Sequence, residues 1–285
     1  MSTSEIKTMR FVDEYPDFQR ELDEYYATYP TDMSEVEAEM DRISEEHPGW
    51  GPCRRKAIVY EVAAERCPAK VFRHCPFFFE QDTGLVRRRW GSHRHDLPGI
   101  GAWMMRQPEQ RKLEEWAREQ MEPARELCLS HGPPVFDFDH HCVGFDNVLK
   151  KGLAGIIGQA RKRLEDPGLS EKQRDFLEAT IIGNNALLRI AARFAEQAET
   201  MVHDEDDPLI RKRLMRMAVA ARRVPARAAR TFYEALSVIM FMRHILAGLE
   251  GLGESIYGHL DRMLQPYLEA DLAAGRITME DAEDL

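Results

Sequence analysis

Residues 145–164 read FDNVLKKGLAGIIGQARKRL, and their apolar pattern decides the class of fold. Apolar side chains recur there at steps of three and four residues, at Phe145, Leu149, Leu153, Ile156, Ala160 and Leu164. This spacing places them on one face of an α-helix. Because helical patterns also occur in the neighbouring sequence, we predict helices over 145–164, 171–200, 208–222 and 232–247, and a mainly α fold.

Helix-start signals support this interpretation. A Ser or Thr followed three residues later by Glu or Gln suits a capping box, and this spacing occurs at Ser34, Ser170 and Thr231. Thr278 is a further candidate N-cap, with Asp281 in the first turn after it. Asp207 comes directly before Pro208, the residue type favoured at the first helical position. Each signal predicts the first turn of a helix.

One segment has the period of a strand. After two prolines, the segment VFDFD at 135–139 alternates phenylalanines with other side chains, which predicts a short strand around Val135 to Asp139. The strand delivers four side chains of metal-ligand type at its carboxyl end: Asp139, His140, His141 and Cys142. Neighbours on an extended chain point to alternating sides and cannot all reach one ion, so no complete local metal site is predicted.

Composition excludes several functional classes. With 44% hydrophobic and 31% charged residues, the 285-residue chain can bury a sizeable core. The net charge is −10, and residues 1–48 hold fourteen Asp and Glu against four Lys and Arg, so nucleic acid is not expected as a partner. The basic run at 211–223 is interpreted as a solvated helix face opposite the acidic residues 204–207, and the glycines at 248–258 as a turn between helices.

The sequence also predicts a cytoplasmic protein without a membrane partner. Residues 1–10 contain no apolar run typical of a signal peptide, and the most apolar stretch, ALSVIMFM at 235–242, is too short to cross a bilayer. The five cysteines include no CxxC pair, which favours free thiols in a reducing compartment over a disulfide framework.

Four segments together resemble a known family. They are VLKKGLAGI (148–156), VPARAARTFYEAL (224–236), EGLGESIYGHLD (250–261) and QPYLEADLAAGRIT (265–278). Their order and approximate spacing are similar to those of the pyruvate formate-lyase domain of glycyl radical enzymes, over about residues 60–285. The chain departs from the family pattern at Val143 to Phe145, Ala228, Ser237 and His259, which leaves the subtype open.

The resemblance implies a fold and a domain division. It implies the N-terminal helical part of the ten-stranded α/β barrel of glycyl radical enzymes, incomplete here, with one or a few short strands. We expect an acidic helical segment over 1–50 and a truncated N-terminal portion of the lyase-like domain over 51–285. Helix faces that would pack on missing barrel strands should then be exposed, namely those with Phe232, Leu236 and Ile239, or with Leu153 and Ile156.

The resemblance also implies radical chemistry on a small polar or carboxylated substrate. In the family, an activase that uses S-adenosylmethionine and an iron–sulfur cluster installs a glycyl radical, which passes to a cysteine thiol. The resemblance places both loops beyond residue 285, so we expect no catalytic residue, no bound cofactor and no metal in this chain. The longer parent enzyme is expected to be a homodimer that cleaves a C–C, C–N or C–O bond.

The resemblance assigns substrate-binding roles to three residues. His140 falls on a family histidine that contacts the substrate hydroxyl and can serve as an acid or base. Asp139 is expected to orient His140, and Ser255 falls near a polar position that faces substrate in some family members. Two other functions stay open: a non-catalytic interaction or regulatory module derived from the family, and a metal hydrolase that recruits distant ligands such as His74 or His95.

Overall fold

The structure is a computed structural model that describes residues 10–27, 32–84, 141–250 and 255–285, with single positions at 100, 103, 107, 112, 115, 116 and 119. Helices dominate the described residues, which confirms the predicted mainly α fold. They are α1 (Phe11–Ala27), α2 (Ser34–Glu46), α3 (Pro52–Arg66), α4 (Phe145–Leu164), α5 (Glu171–Asp204), α6 (Pro208–Arg223), α7 (Phe232–Glu250), α8 (Leu260–Ala273) and α9 (Met279–Asp284). The short strands are β1 (Ala69–Lys70), β2 (Glu80–Gln81), β3 (His141–Cys142) and β4 (Ser255–Ile256).

The 34-residue helix α5 is central, because α3, α4 and α6 all pack against it. Its buried apolar side chains follow the helical period: Ala186, Leu187, Ile190, Ala191, Phe194, Ala195 and Ala198. The predicted capping box starts the helix. The Ser170 hydroxyl accepts the Gln173 N–H at 3.3 Å, and the Gln173 side chain accepts the Ser170 N–H at 2.9 Å. Two donors that the first turn leaves unpaired are thereby satisfied.

The other predicted helix starts are mostly present. Thr278 forms a complete capping box, and Asp207 accepts hydrogen bonds from the first turn of α6. The Thr231 hydroxyl accepts the Glu234 N–H, as predicted. The Glu234 carboxylate, however, accepts the N–H of Arg230 and not that of Thr231, so the capping box is incomplete. The cap predicted at Ser34 was wrong. Met33 occupies that position, and the Ser34 N–H donates to Asp32 at 2.9 Å.

Helix α4 is kinked where the sequence predicted a continuous helix. Gly152 has φ 67° and ψ 164°, a conformation in which only glycine is unstrained. The kink turns the N–H groups of Leu153 and Ala154 toward the loop before α7. They donate to Pro225 O at 2.8 Å and Ala226 O at 3.1 Å. The bend therefore docks this loop onto α4.

Helix α6 largely has the solvated basic face that the sequence suggested, with Leu214, Met217 and Ala221 buried on the opposite face. The Arg213 guanidinium forms a bidentate pair with buried Glu14 of α1, and Arg216 lies 3.7 Å from the ring centre of Tyr233. Arg211, Lys212 and Arg222 are exposed as predicted, and the Arg211 guanidinium donates to the backbone carbonyl of Glu205 in the acidic segment. The prediction fails for Arg213 and Arg223, which turn toward the protein because their carboxylate partners, Glu14 and Glu234, lie on other helices.

The apolar faces expected to be exposed are largely buried within the chain. Phe232, Ile239 and Leu153 are no more than 8% exposed, and Leu236 and Ile156 are half-buried. The prediction was wrong because α7 packs against α3, α4, α8 and β2 of the same chain.

The 19-residue helix α7 is also long and apolar enough, by length and composition, to cross a membrane. The sequence expectation, based on an eight-residue stretch, had missed this. However, 67% of its apolar window is buried inside the structure, as in the core helix of a globular protein.

Two small ladders complete the described fold. Strands β1 and β2 pair antiparallel, and β3 and β4 pair parallel. The strand predicted at 135–139 lies outside the described residues, and β3 begins two positions after it. The predicted domain boundary near residue 50 stays a prediction. The segment before it forms the helices α1 and α2, as expected, and α2 packs on α3.

Candidate active-site segment

The parallel ladder between β3 and β4 joins two segments that are far apart in the sequence. His141 pairs with Ser255 and Cys142 with Ile256. Parallel neighbours require a crossover connection, which here consists of helices α4 to α7. The pairing therefore depends on the packing of the helical domain.

This ladder brings together the backbone of the two segments predicted to bind substrate. Ser255 lies in β4, and His141, the residue after His140, is its partner across the ladder. Asp139 and His140 themselves lie outside the described residues, and of Ser255 only the backbone is described. The roles of the three side chains therefore stay predictions.

Aromatic and cationic side chains pack against each other just after the two strands of the ladder. Phe145, three residues after β3, is 1% exposed and stacks on Tyr257 just after β4, with ring centres 6.1 Å apart. The Arg243 guanidinium lies 4.9 Å from the centre of the Tyr257 ring. Burial raises the pKa of Tyr257, against the opposing effect of Arg243, so this phenol stays neutral near pH 7. A permanent positive charge thus lies beside the ladder.

A cavity of about 520 Å³ adjoins this region. Val143 and Gly144, directly after β3, form part of its wall. The rest is lined by four helices: α3 contributes Cys53, Lys56, Ala57 and Tyr60, α4 contributes Asn147, Val148, Leu153 and Ile156, α5 contributes Phe176, Ala179, Thr180, Gly183, Asn184 and Leu187, and α7 contributes Met242, Leu246 and Glu250.

The polar end of the cavity is a three-residue cluster that sequence reasoning missed. The Tyr60 hydroxyl and the Lys56 ammonium both bond the Glu250 carboxylate. Burial, and then the negative charge of Glu250, raise the pKa of Tyr60 well above its usual value. The phenol therefore remains a hydrogen-bond donor at neutral pH. Lys56 and Tyr60 lie on one face of α3, but no sequence signal connects them to Glu250.

Buried Asp175 fixes the start of α3, which forms one wall of the cavity. Its carboxylate accepts the Cys53 N–H at 2.9 Å and the Arg54 Nε–H at 2.8 Å. Burial by itself would raise the pKa of Asp175, but these hydrogen bonds outweigh it and lower the pKa. Asp175 thus acts as a cap for α3 from another helix.

The thiols and His74 in the described part of the chain are not arranged as a metal centre. Burial raises the pKa of Cys67 and of Cys75 to about 12, so both stay protonated. The His74 Nδ1 bonds Glu14 at 2.9 Å, and its Nε2 accepts from Arg73 at 3.0 Å, which leaves no ring nitrogen for a metal. Within the described parts of the chain no cluster of three metal-ligating side chains occurs, and His95 lies outside them.

Comparison with known proteins decides the family. A family model described as pyruvate formate lyase-like matches residues 101–285. The chain belongs to this family. The family assignment confirms the resemblance carried by the four sequence segments.

Three proteins illustrate the relation of this pyruvate formate lyase-like chain to the rest of its family. It is 36% identical over 148 residues to the isethionate sulfite-lyase of Desulfovibrio desulfuricans, covering 50% of this chain and 18% of that protein. A solved structure from a study of 1,2-propanediol dehydration in Roseburia inulinivorans superposes on this chain with a TM-score of 0.69 at 23% identity. The superposition covers 94% of this chain and 36% of the other chain. A glycyl radical enzyme from Archaeoglobus fulgidus superposes with a TM-score of 0.65 at 18% identity, over 95% and 38%.

The two superpositions concern the fold alone. They confirm that this pyruvate formate lyase-like chain has part of the architecture of glycyl radical enzymes. The chain spans less than two fifths of the length of each of the three proteins.

Proposed function

We propose that residues 1–285 serve as the N-terminal helical part of a glycyl radical lyase and form part of its substrate pocket. The observation that carries the proposal is the parallel pairing of His141 with Ser255. This pairing brings the backbone after Asp139 and His140 beside that of Ser255, which supports the proposal that the two segments contact one substrate. The 36% identity to a sulfite-lyase supports the lyase class.

The proposed substrate is a small polar or carboxylated molecule in which a C–C, C–N or C–O bond is cleaved. His140 would contact a substrate hydroxyl and transfer a proton, because an imidazole titrates near neutral pH. Asp139 would orient that ring, and the Ser255 hydroxyl would bond the substrate. The Arg243 guanidinium beside Tyr257 supplies a positive charge near the ladder, which favours an anionic substrate.

The radical groups are proposed to come from polypeptide other than these 285 residues. In the described part of the chain, Cys53, Cys67 and Cys75 belong to α3 and the following turns, and no RVxGY-like segment occurs in the sequence. The glycyl radical would supply hydrogen-atom abstraction, and a radical S-adenosylmethionine activase would install it. We further propose a cytoplasmic homodimer.

The test begins with the protein in its native cells. The native polypeptide is purified anaerobically, its intact mass is measured, and partners that co-purify are sequenced. We expect a cysteine loop and an RVxGY-like loop in the same polypeptide or in a bound partner, and a glycyl doublet in electron paramagnetic resonance after activation. A purified protein with neither loop and no partner carrying them would overturn the proposal.

The pocket residues are tested in that active preparation. His140→Ala should lower kcat by roughly 10²–10⁴-fold, as expected for a residue that transfers a proton. His259→Ala is the matched control, because the His259 side chain is 73% exposed and should leave kcat unchanged. Equal effects of the two substitutions would contradict the role of His140.

A second function is favoured by the burial of the α7 and α4 faces. Phe232, Ile239 and Leu153 are covered by the chain itself, as in a self-sufficient helical interaction module. Sedimentation at several concentrations, with binding of a hydrophobic dye measured in parallel, separates the two candidates. A strictly monomeric, dye-silent and cooperatively melting chain favours the module, and self-association with dye binding favours the lyase part.

A further inference from the structure

The cavity between α3, α4, α5 and α7 has the properties of a binding site for a small molecule. Its volume of about 520 Å³ lies within the roughly 300–1,000 Å³ of ligand pockets. It is about three and a half times the volume of a cavity of roughly 150 Å³ that binds benzene. A bicyclic molecule with one substituent would therefore fit.

The lining is mainly apolar and carries no net charge. Apolar side chains from all four helices face the space, among them Leu153, Phe176 and Met242. The two charged groups, Lys56 and Glu250, neutralise each other through a direct ion pair. A charged ligand would lose its hydration without gaining a partner of opposite charge, so the cavity favours an uncharged one.

Two asparagines provide hydrogen-bonding groups along the wall. Asn184 uses its Nδ2 to donate to Thr180 O at 2.7 Å, and its Oδ1 has no bonding partner within the described residues. Asn147 is exposed on α4 and lines the same wall, and, apart from the backbone bonds within α4, its only hydrogen bond to another described residue is made by its backbone N–H. A wall with an amide donor and two amide acceptors matches a carbonyl or carboxamide on an apolar body.

Phe176 adds an exposed aromatic ring to the wall of the cavity. Its ring is 59% exposed although it lines the cavity, and it is one of the few large apolar side chains that are exposed in the described regions. A ligand in the cavity would cover part of this ring and remove apolar surface from water.

We propose that this cavity binds an uncharged, mainly apolar small molecule of about bicyclic size that bears a carbonyl or carboxamide group. The side chains of Asn147 and Asn184 form hydrogen bonds with the polar group, and the apolar body packs against α3 and α5. The proposal does not depend on radical chemistry, because it concerns the binding capacity of the helical domain.

The test is calorimetric titration of the full 285-residue chain with 1-naphthamide, compared with the anion 1-naphthoate. We expect the amide to bind at least tenfold more tightly than the carboxylate. Bound amide should also slow alkylation of Cys53, whose half-buried thiol lines the cavity, as followed by peptide mass mapping. No binding of the amide, or equal affinity for both probes, would overturn the proposal.

Two glycine substitutions test where the amide binds. Gly183→Leu should lower affinity for the amide at least tenfold, because a Cβ there would lie 3.9 Å from the Tyr60 ring without a clash and the longer side chain fills the cavity. Gly158→Leu is the matched control, since a Cβ at that position of α4 meets nothing within 4 Å.

Asn147→Ala and Asn184→Ala keep the cavity open while removing its hydrogen-bonding groups. Each substitution should weaken the binding of 1-naphthamide but leave the binding of 1-naphthoate unchanged. Unchanged amide affinity in Gly183→Leu, or in both asparagine variants, would refute the assigned location.

Discussion

Gly152 determines how helix α4 meets the loop before α7, and its replacement by alanine should destabilise the protein strongly. At φ 67° and ψ 164° the backbone is in a region that is essentially restricted to glycine. An added Cβ would lie 2.4 Å from the carbonyl oxygen of Ala226 and 2.6 Å from backbone carbons of Arg227. Because these are backbone atoms, no side-chain rotation can relieve the overlap.

The expected magnitude follows from two contributions. Forcing a residue with a Cβ into this conformation costs about 1–3 kcal/mol. Displacement of the loop would break the hydrogen bonds from Leu153 N to Pro225 O and from Ala154 N to Ala226 O, at about 0.5–1.5 kcal/mol each. Together these lower the free energy of unfolding by about 2–6 kcal/mol.

The assay is urea denaturation followed by far-ultraviolet circular dichroism. With an m-value of about 3 kcal/mol/M, Gly152→Ala should lower the urea midpoint by roughly 0.7–2 M. Gly158→Ala is the matched control, because Gly158 lies in the same helix with open space around its Cα. It should raise the stability by about 0.5–1 kcal/mol through helix propensity. An unchanged midpoint in Gly152→Ala, or equal shifts in both variants, would refute the role assigned to the kink.

Three further predictions concern pH, capping and the radical. Hydrogen bonds from Arg73 lower the pKa of Glu205 from its usual 4.5 to about 2, so their stabilising contribution is complete above about pH 4.5 and is lost as the pH falls toward 2. The melting temperature of Glu205→Gln should therefore fall less than that of the wild type between pH 5 and pH 2, and parallel curves would contradict this assignment. Ser170→Ala removes the capping box of α5 and should cost about 1 kcal/mol, or about 2–4 °C in Tm by thermal denaturation, with an unchanged Tm as the contrary result. The purified 285-residue chain, incubated anaerobically with an activase and S-adenosylmethionine, should show no glycyl doublet in electron paramagnetic resonance, and a substantial protein-dependent doublet would contradict the proposed source of the radical.

Helix content and several helix starts could be predicted from the sequence because both depend on nearby residues. Apolar spacing of three and four residues located α4 to α7, and the side chains of Ser170, Asp207 and Thr278 bond the backbone two or three positions away. The four family segments also predicted the architecture correctly, since they follow each other along the chain at nearly the family spacing.

Tertiary structure decided the features that depend on distant partners. The kink at Gly152 forms because carbonyls of the loop at 225–226 accept the N–H groups that it frees. Arg213 turned inward because buried Glu14 lies within hydrogen-bonding distance, and a pattern of arginines on one helix contains no information about that carboxylate. The ladder between His141 and Ser255 and the cavity between four helices likewise arise only when α3, α4 and α7 assemble around α5. Local sequence determines which segments are helical, whereas packing determines which of their side chains meet.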